Sequence, residues 1–143
     1  MQAIYIIVFI SALTIGSLSL LSRQGSIDPG DATLNFLTYR AAVLQYAKTH
    51  ALVDGVIAKT SLILPATWRD PGTWSNRVVG KNVFIWGRLS AQGKRDLEKM
   101  TFCSQAYFYS QGLTINSICT GTPGPALPVS IPNKTVVSVI EVN

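Results

Sequence analysis

The chain has 143 residues, which is enough for one domain of ordinary size plus a membrane anchor. Apolar residues make up 48% of it and charged residues 13%, against the roughly 25% charged of a typical domain, so the composition favours a packed domain over a disordered chain. The net charge is +5, but the basic residues are spread along the chain, and the densest group, at positions 94–99, also contains two acids. Nucleic-acid binding is therefore not predicted, because the sequence shows no basic run or stripe.

Residues 3–21 form an apolar run without a charged side chain, and Arg23 ends the run abruptly. At about 1.5 Å per residue the run would span about 29 Å as a helix, close to the ~30 Å hydrocarbon core of a bilayer. We therefore predict that residues 1–22 are a single transmembrane helix with the N-terminus in the cytoplasm. Ala12 and Gly16 are candidate contact positions between such helices, because small residues four apart let two helices approach closely.

Three kinds of cleaved leader compete with a stable anchor. A secretory signal usually has a basic N-terminal region and a small-residue cleavage site, and neither is clear here, although cleavage stays open. A lipoprotein signal is excluded because it needs a cysteine after the apolar run, and the first cysteine is Cys103. A prepilin signal is not favoured, because Gly16 lies inside the run and no acidic residue occurs before Asp28.

Two cysteines, Cys103 and Cys119, are separated by fifteen residues. Two cysteines without a neighbouring histidine make a poor zinc site, and their spacing is not that of a Cys-x-x-Cys redox motif. An even count beyond a membrane anchor favours one disulfide between them, which predicts an oxidising compartment outside the cytoplasm. The alternative is a pair of buried free thiols.

Residues 23–30 contain two glycines and a proline, so we predict a linker there. Asp31 is predicted to cap a helix over residues 32–50, because apolar side chains recur there at helical spacing. Those apolar positions are Phe36, Leu37, Val43, Leu44 and Ala47, with Tyr39 and Tyr46 beside them. We expect this amphipathic helix to lie against a sheet.

The rest of the chain favours short strands. A β-branched run at 56–64, which Pro65 ends, is a strand candidate. The runs 78–79 and 83–86 are joined by Gly80-Lys81, which predicts a hairpin with a type II′ turn. Further along we predict a short helix at 90–99, strands at 106–109 and 113–118, a loop at 121–132 and a final strand at 134–142.

The predicted fold class is α+β: an N-terminal transmembrane helix, then an amphipathic helix packed on a small antiparallel sheet. Residues 1–22 are the predicted anchor, 23–30 the linker and 31–143 a soluble domain.

Catalytic motifs are not found in the sequence. His50 is the only histidine and stands at the predicted end of the helix, where it would interact favourably with the helix dipole. No phosphate-binding loop, nucleophile elbow or zinc-protease motif occurs, so we predict no catalytic residues, no metal and no cofactor. A hydrolase with a Ser/Lys pair stays open, because serines and lysines are abundant and nothing selects one pair.

Three tryptophans, Trp68, Trp74 and Trp86, fall in one segment that also contains prolines and arginines. Tryptophan is favoured at the centres of protein interfaces, whereas a small domain also uses it in its core. Trp86 stands in a strand run and is predicted to belong to the core. Trp68 and Trp74 stand in a turn-rich loop and are the candidate residues for binding a protein partner.

The short apolar N-terminus, the helix NFLTYRAAVLQYAKTH and the LPxxW…W…VFIW stretch together resemble the small PilM-type proteins of type IVB pilus operons, including those for conjugative thin pili. The resemblance covers nearly the whole chain. It implies a protein of the bacterial inner membrane, with its C-terminal domain in the periplasm, that belongs to the pilus basal body or the pilin transport apparatus. No catalytic residue is implied.

The function predicted from these observations is a non-enzymatic structural component of a type IV pilus assembly apparatus. Its expected partners are other pilus assembly proteins, the membrane and, as alternatives left open, pilin or a second copy of the chain. The layout also resembles type IV pilins, so a minor pilin incorporated into the fibre is one alternative function. A membrane-anchored periplasmic hydrolase is the other.

Overall fold

The computed structural model describes residues 29–127 and 130–142. Within these residues an antiparallel sheet of five strands packs against two helices, and the α+β class is therefore confirmed. The elements in chain order are α1 Pro29–Thr49, β1 Ser75–Val79, β2 Asn82–Gly87, α2 Ala91–Met100, β3 Tyr107–Gln111, β4 Thr114–Ser117 and β5 Val136–Glu141.

Helix α1 begins at Pro29, inside the segment predicted as a linker. Proline suits the first turn of a helix because its missing N–H would have no partner there. Asp31 accordingly lies within the first turn, so the prediction that it caps the helix is wrong, but its charge still favours the positive end of the helix dipole.

The predicted anchor at 1–22, with Ala12 and Gly16, and the linker positions 23–28 lie outside the described residues. Among the residues that are described, no helix is both long and apolar enough to cross a bilayer.

One face of α1 is buried against the sheet. Phe36, Val43 and Ala47 are buried as predicted, whereas Leu37 and Leu44 are only partly covered. Tyr39, expected beside the apolar face, is completely buried. The side chain of Tyr39 reaches the sheet because Asn76 of β1 donates a hydrogen bond to its hydroxyl oxygen at 2.7 Å.

The hairpin β1–β2 has the turn that its sequence predicts. Val79 pairs with Asn82, so Gly80 and Lys81 form a two-residue loop. Gly80 has φ +58° and Lys81 does not have a positive φ, which is the pattern of a type II′ turn. Gly112 and Leu113 join β3 to β4 in the same way, with Gly112 at φ +65°.

The strand order is β1-β2-β5-β3-β4, which places the C-terminal strand in the middle of the sheet. Strand β5 pairs with β2 on one side and with β3 on the other. Val136, Val137 and Ser138 are all fully buried, so side chains of β5 are covered on both faces of the sheet. Ser138 is buried although it is polar.

The predicted strand at 56–64 is wrong. Gly55 makes an isolated bridge to Val78, and a 3₁₀ turn follows at Lys59–Ser61. The peptide of Ile57 bonds to the Asn76 side chain on both its N–H and its carbonyl, so a side chain replaces the ladder of a neighbouring strand. Val56 and Ile63 are 70% and 79% exposed, whereas Ile57 is buried at 8%, so only part of this apolar run enters the core.

Helix α2 confirms the short helix predicted at 90–99. Ser90 caps it by accepting a hydrogen bond from the Gly93 amide at 3.0 Å. The Thr33 hydroxyl of α1 donates to the Gly93 carbonyl at 3.0 Å, so the N-terminal ends of the two helices touch. Glycine permits this approach, because a Cβ at Gly93 would lie 3.3 Å from the Thr33 hydroxyl oxygen.

The other face of the sheet is covered in part by the loop that precedes β5. Ile131 packs there against Ile115 and Val137, with Trp86, Phe108 and Leu127 at the margin. Trp86, predicted as core, is partly buried at this second, smaller cluster.

Candidate interaction surface

The segment 62–74 crosses the N-terminal half of α1, and Trp68 attaches it there. The Trp68 ring stacks on Tyr39 with a centroid distance of 5.9 Å and an angle of 18°. Its indole N–H donates to the Asn35 carbonyl at 3.2 Å. The ring is half-buried, so one part of it holds the loop while the remainder faces solvent. Trp68 is therefore accessible to a partner.

Trp74, the other tryptophan predicted to bind a partner, belongs instead to the core. Its side chain is 2% exposed and contacts the Phe36 ring at 5.1 Å. Its ring lies directly over Gly87 of β2, where a Cβ would overlap it. The interpretation of Trp74 as a binding residue is corrected, because the helix and the sheet enclose its ring on both sides.

Asn35 connects both tryptophans to the loop. Its side-chain oxygen accepts the Trp74 indole N–H at 2.6 Å. Its side-chain amide donates to the Arg69 carbonyl at 2.9 Å. Since the Asn35 carbonyl also accepts the Trp68 indole N–H, one residue of α1 fixes three points of the loop.

An ion pair closes the far end of the same loop. Lys59 donates to both carboxylate oxygens of Asp70, at 2.7 and 2.9 Å. This hydrogen bonding from Lys59, together with the Gly72 amide, holds the pKa of Asp70 below its ordinary value. The Lys59 ammonium also lies 5.8 Å from the centre of the Tyr39 ring.

Between α1 and this loop is a surface cavity of about 420 Å³. We call it the Trp68 cavity. Its apolar wall comes from Leu34, Pro65 and Trp68, and its rim carries Asp31 and Arg69. Leu34 of α1 is 53% exposed, and its apolar side chain faces the cavity rather than the core. Such an apolar wall with a few charged groups at its edge is typical of a binding site.

Two buried tyrosines, Tyr39 of α1 and Tyr107 of β3, lie between the helix and the sheet. Burial raises the pKa of Tyr39, although the hydrogen bond from Asn76 partly offsets this. Burial also raises the pKa of Tyr107, and the nearby Arg40 guanidinium, 5.0 Å from its ring centre, acts in the opposite direction. Both rings belong to the main hydrophobic core of the domain.

A sequence model of the PilM family matches residues 5–139, which is nearly the whole chain. The chain belongs to the PilM family. The resemblance drawn from the helix and tryptophan segments is thus confirmed.

A PilM protein from Escherichia coli B7A has a crystal structure similar to this one. The TM-score is 0.64, and the match covers 82% of this chain and 95% of that chain at 19% sequence identity. At this identity the likeness shows that the two share a fold. No curated protein gives a significant match.

His50 of this PilM-family protein lies directly after α1, as predicted. Its ring stacks on Tyr46 with a centroid distance of 4.0 Å, and its Nδ1 lies 2.9 Å from the Thr49 hydroxyl and 3.1 Å from the Tyr46 carbonyl. These contacts place it at the negative end of the helix dipole.

Within the described residues, no three His, Cys, Asp or Glu side chains are grouped so that they could hold a metal ion.

Cys103 and Cys119 are joined in a disulfide whose Cα atoms are 5.6 Å apart. The bond links the loop after α2 to the end of β4, which is an edge strand. Directly before Cys103, Phe102 is 92% exposed, a feature of this chain that sequence reasoning did not find. The one signal for it was an aromatic residue beside a cysteine in a segment without a strand or helix pattern.

Proposed function

We propose that this protein is a non-enzymatic structural component of a type IV pilus assembly apparatus and acts through protein–protein contacts. The observation that carries the proposal is the match of the PilM family to residues 5–139. Membership of that family supports involvement in pilus biogenesis.

The Trp68 cavity supports a binding role. Its apolar wall is rigid, because Trp68 is stacked on Tyr39 and hydrogen-bonded to Asn35. A preformed apolar site loses less conformational entropy on binding than a mobile loop would. Aromatic residues in such positions contribute more than their share of binding energy. We therefore assign Trp68 as the main contact residue for an assembly partner.

The proposed location is the bacterial inner membrane, with residues 1–22 as a single anchor, a cytoplasmic N-terminus and a periplasmic domain. The apolar run at 3–21 supports the anchor. The disulfide between Cys103 and Cys119 supports the periplasm, because structural disulfides persist in oxidising compartments.

Complementation tests this proposal. A strain that lacks the gene would receive either the native protein or the Trp68→Ala variant, and surface pili and proteins that co-purify with the tagged chain would be measured. We expect Trp68→Ala to be produced and folded but to lose a co-purifying pilus assembly protein and to reduce the number of pili. Trp68→Phe, which keeps a ring on Tyr39, is the matched control and should retain most of both.

Two results would contradict the proposal. Normal pili in the strain without the gene would remove the assembly role. Turnover of a substrate that disappears with one serine or lysine would favour the hydrolase. Mass spectrometry of the mature N-terminus adds a test of the minor-pilin alternative, because an intact Met1-Gln2 is incompatible with prepilin processing.

A further inference from the structure

Phe102 occupies a backbone position that normally takes glycine. Helix α2 ends with the Phe102 amide bonded to the Lys99 carbonyl at 3.3 Å and the Cys103 amide bonded to the Glu98 carbonyl at 3.1 Å. This pair of bonds defines a Schellman motif, whose residue after the C-cap adopts left-handed φ. Phe102 has φ +48° there, and Cys103 follows with φ +56°.

The described fold gains little from this phenylalanine. A side chain with a Cβ is strained at left-handed φ, and glycine is not. Burial could offset that strain, but the Phe102 side chain is 92% exposed. Backbone strain that the fold itself does not need points to a function of the side chain outside the fold. The adjacent disulfide to Cys119 fixes the loop that presents the ring.

The same chain also carries a receptor of suitable shape and charge. The Trp68 cavity has an apolar wall large enough for a phenyl ring, with Asp31 and Arg69 at its rim. Phe102 is preceded closely by Glu98 and Lys99 on α2. Within the described residues none of these four charged side chains forms an ion pair, so each is available to one of opposite sign.

The ring and the cavity cannot meet within one chain. Thr33, which lies between the cavity residues Asp31 and Leu34, touches Gly93 at the start of α2, whereas Phe102 follows the other end of that helix. The nine residues from Gly93 to Phe102 cover about 14 Å at ~1.5 Å per residue, so the helix holds the ring away from the cavity.

We propose that Phe102 of one copy inserts into the Trp68 cavity of a second copy, with Glu98 and Lys99 facing Arg69 and Asp31. Because ring and cavity are different surface patches of the chain, the contact is head-to-tail and can repeat from copy to copy. The inference rests on the proposed function and names its partner, because the assembly protein that fills the Trp68 cavity is here a second copy of the chain. One ring in one cavity buries less area than the roughly 1,200 Å² of a stable interface, so copies held at high local concentration are needed.

Site-specific photo-crosslinking in cells that produce the full chain tests the contact. Phe102 is replaced by p-benzoylphenylalanine, which keeps an aromatic ring, and the adducts are mapped by mass spectrometry. We expect an adduct of twice the chain mass in which position 102 is joined to residues 31–38 or 65–69 of another copy. The same probe at Leu113, which is 86% exposed on the β3–β4 turn, is the control and should not give that adduct.

Two variants, Leu34→Lys in the cavity and Phe102→Gly at the ring, separate an effect on binding from an effect on folding. Leu34→Lys places a charge on the apolar wall and should lower the adduct about tenfold or more, whereas Leu113→Lys should leave it unchanged. Phe102→Gly should raise the urea midpoint of unfolding, because it relieves the left-handed strain without losing burial. The urea midpoint of the Leu34→Lys chain, measured beside that of the native chain, shows whether the fold is intact where the adduct is lost.

An adduct only with a different protein or with lipid, or no adduct from a folded chain, would overturn the proposal. So would an adduct that Leu34→Lys leaves unchanged. These outcomes do not depend on counting pili. If self-association is absent but the Trp68 variant still reduces the number of pili, the copy-to-copy contact has failed. If self-association is present but the strain without the gene has normal pili, the assembly role has failed.

Discussion

The side-chain oxygen of Asn35 accepts the indole N–H of Trp74 at 2.6 Å. This bond satisfies the one polar group of a ring that is otherwise enclosed by Phe36 and Gly87. The other end of the same amide holds the Arg69 carbonyl at 2.9 Å, so the core and the wall of the Trp68 cavity share one residue.

Asn35→Ala is expected to destabilise the domain by about 1–3 kcal/mol, because it leaves the buried Trp74 N–H without a partner. Urea unfolding followed by tryptophan fluorescence measures the loss. Thr38→Ala, one turn along the same helix, removes only an exposed hydroxyl bonded to the Leu34 carbonyl and should change stability by less than about 0.5 kcal/mol. Equal stability of Asn35→Ala and the native chain would refute this role of Asn35.

Gly87→Ala is expected to cost about 1–3 kcal/mol, because the new methyl group would overlap the Trp74 ring and force it to move. A double-mutant cycle with Trp74→Leu isolates the clash. With the ring removed, the added methyl should cost much less, so the two losses should not add. Additive losses would mean that Gly87 matters for another reason.

Removal of the disulfide by Cys103→Ser with Cys119→Ser is expected to lower stability by about 3 kcal/mol, since the bond closes a loop across a sequence separation of 16. Reducing agent should lower the stability of the native chain by a similar amount and leave the double variant unchanged. If reducing agent left the urea midpoint of the native chain unchanged, the disulfide would not be a stabilising crosslink.

The Lys59–Asp70 pair predicts a modest pH dependence. The pKa of Asp70 lies below its ordinary value of 3.8 in the folded state, so the pair stabilises the fold above that value, and this contribution is lost as the pH falls through the lowered pKa. The Asp70 side chain is 40% exposed, so the contribution is about 0.5 kcal/mol or less. Asp70→Asn should therefore lower the urea midpoint slightly at pH 7 and not at pH 2. A larger effect at the lower pH would contradict the pairing.

Local pattern was sufficient for several elements. Gly80-Lys81 between two β-branched runs predicted the β1–β2 turn, because only a residue without a Cβ takes that φ without strain. Apolar spacing predicted that Phe36, Val43 and Ala47 of α1 face the core. Both predictions depend on residues that are close together in the chain, so they can be made from the sequence without knowledge of the tertiary structure.

The candidate site could be predicted only in part. The tryptophan segment was identified as important, but its residues could not be divided between core and surface. Trp68 and Trp74 have similar neighbours in sequence, and their burial differs because Gly87, far along the chain, leaves space for one ring and not for the other. The exposure of Phe102 depends on how α2 ends and was not predicted.

By itself the sequence determined the family, the fold class, the main helix and the tight turns, because each depends on composition or on contacts between near neighbours. The tertiary structure decided the place of β5 between β2 and β3, the side-chain ladder that replaces a strand at Ile57, and the Trp68 cavity. The physical reason is that these features join residues tens of positions apart, and the free energy of such contacts depends on shape and hydrogen-bond geometry that hydrophobic periodicity does not encode.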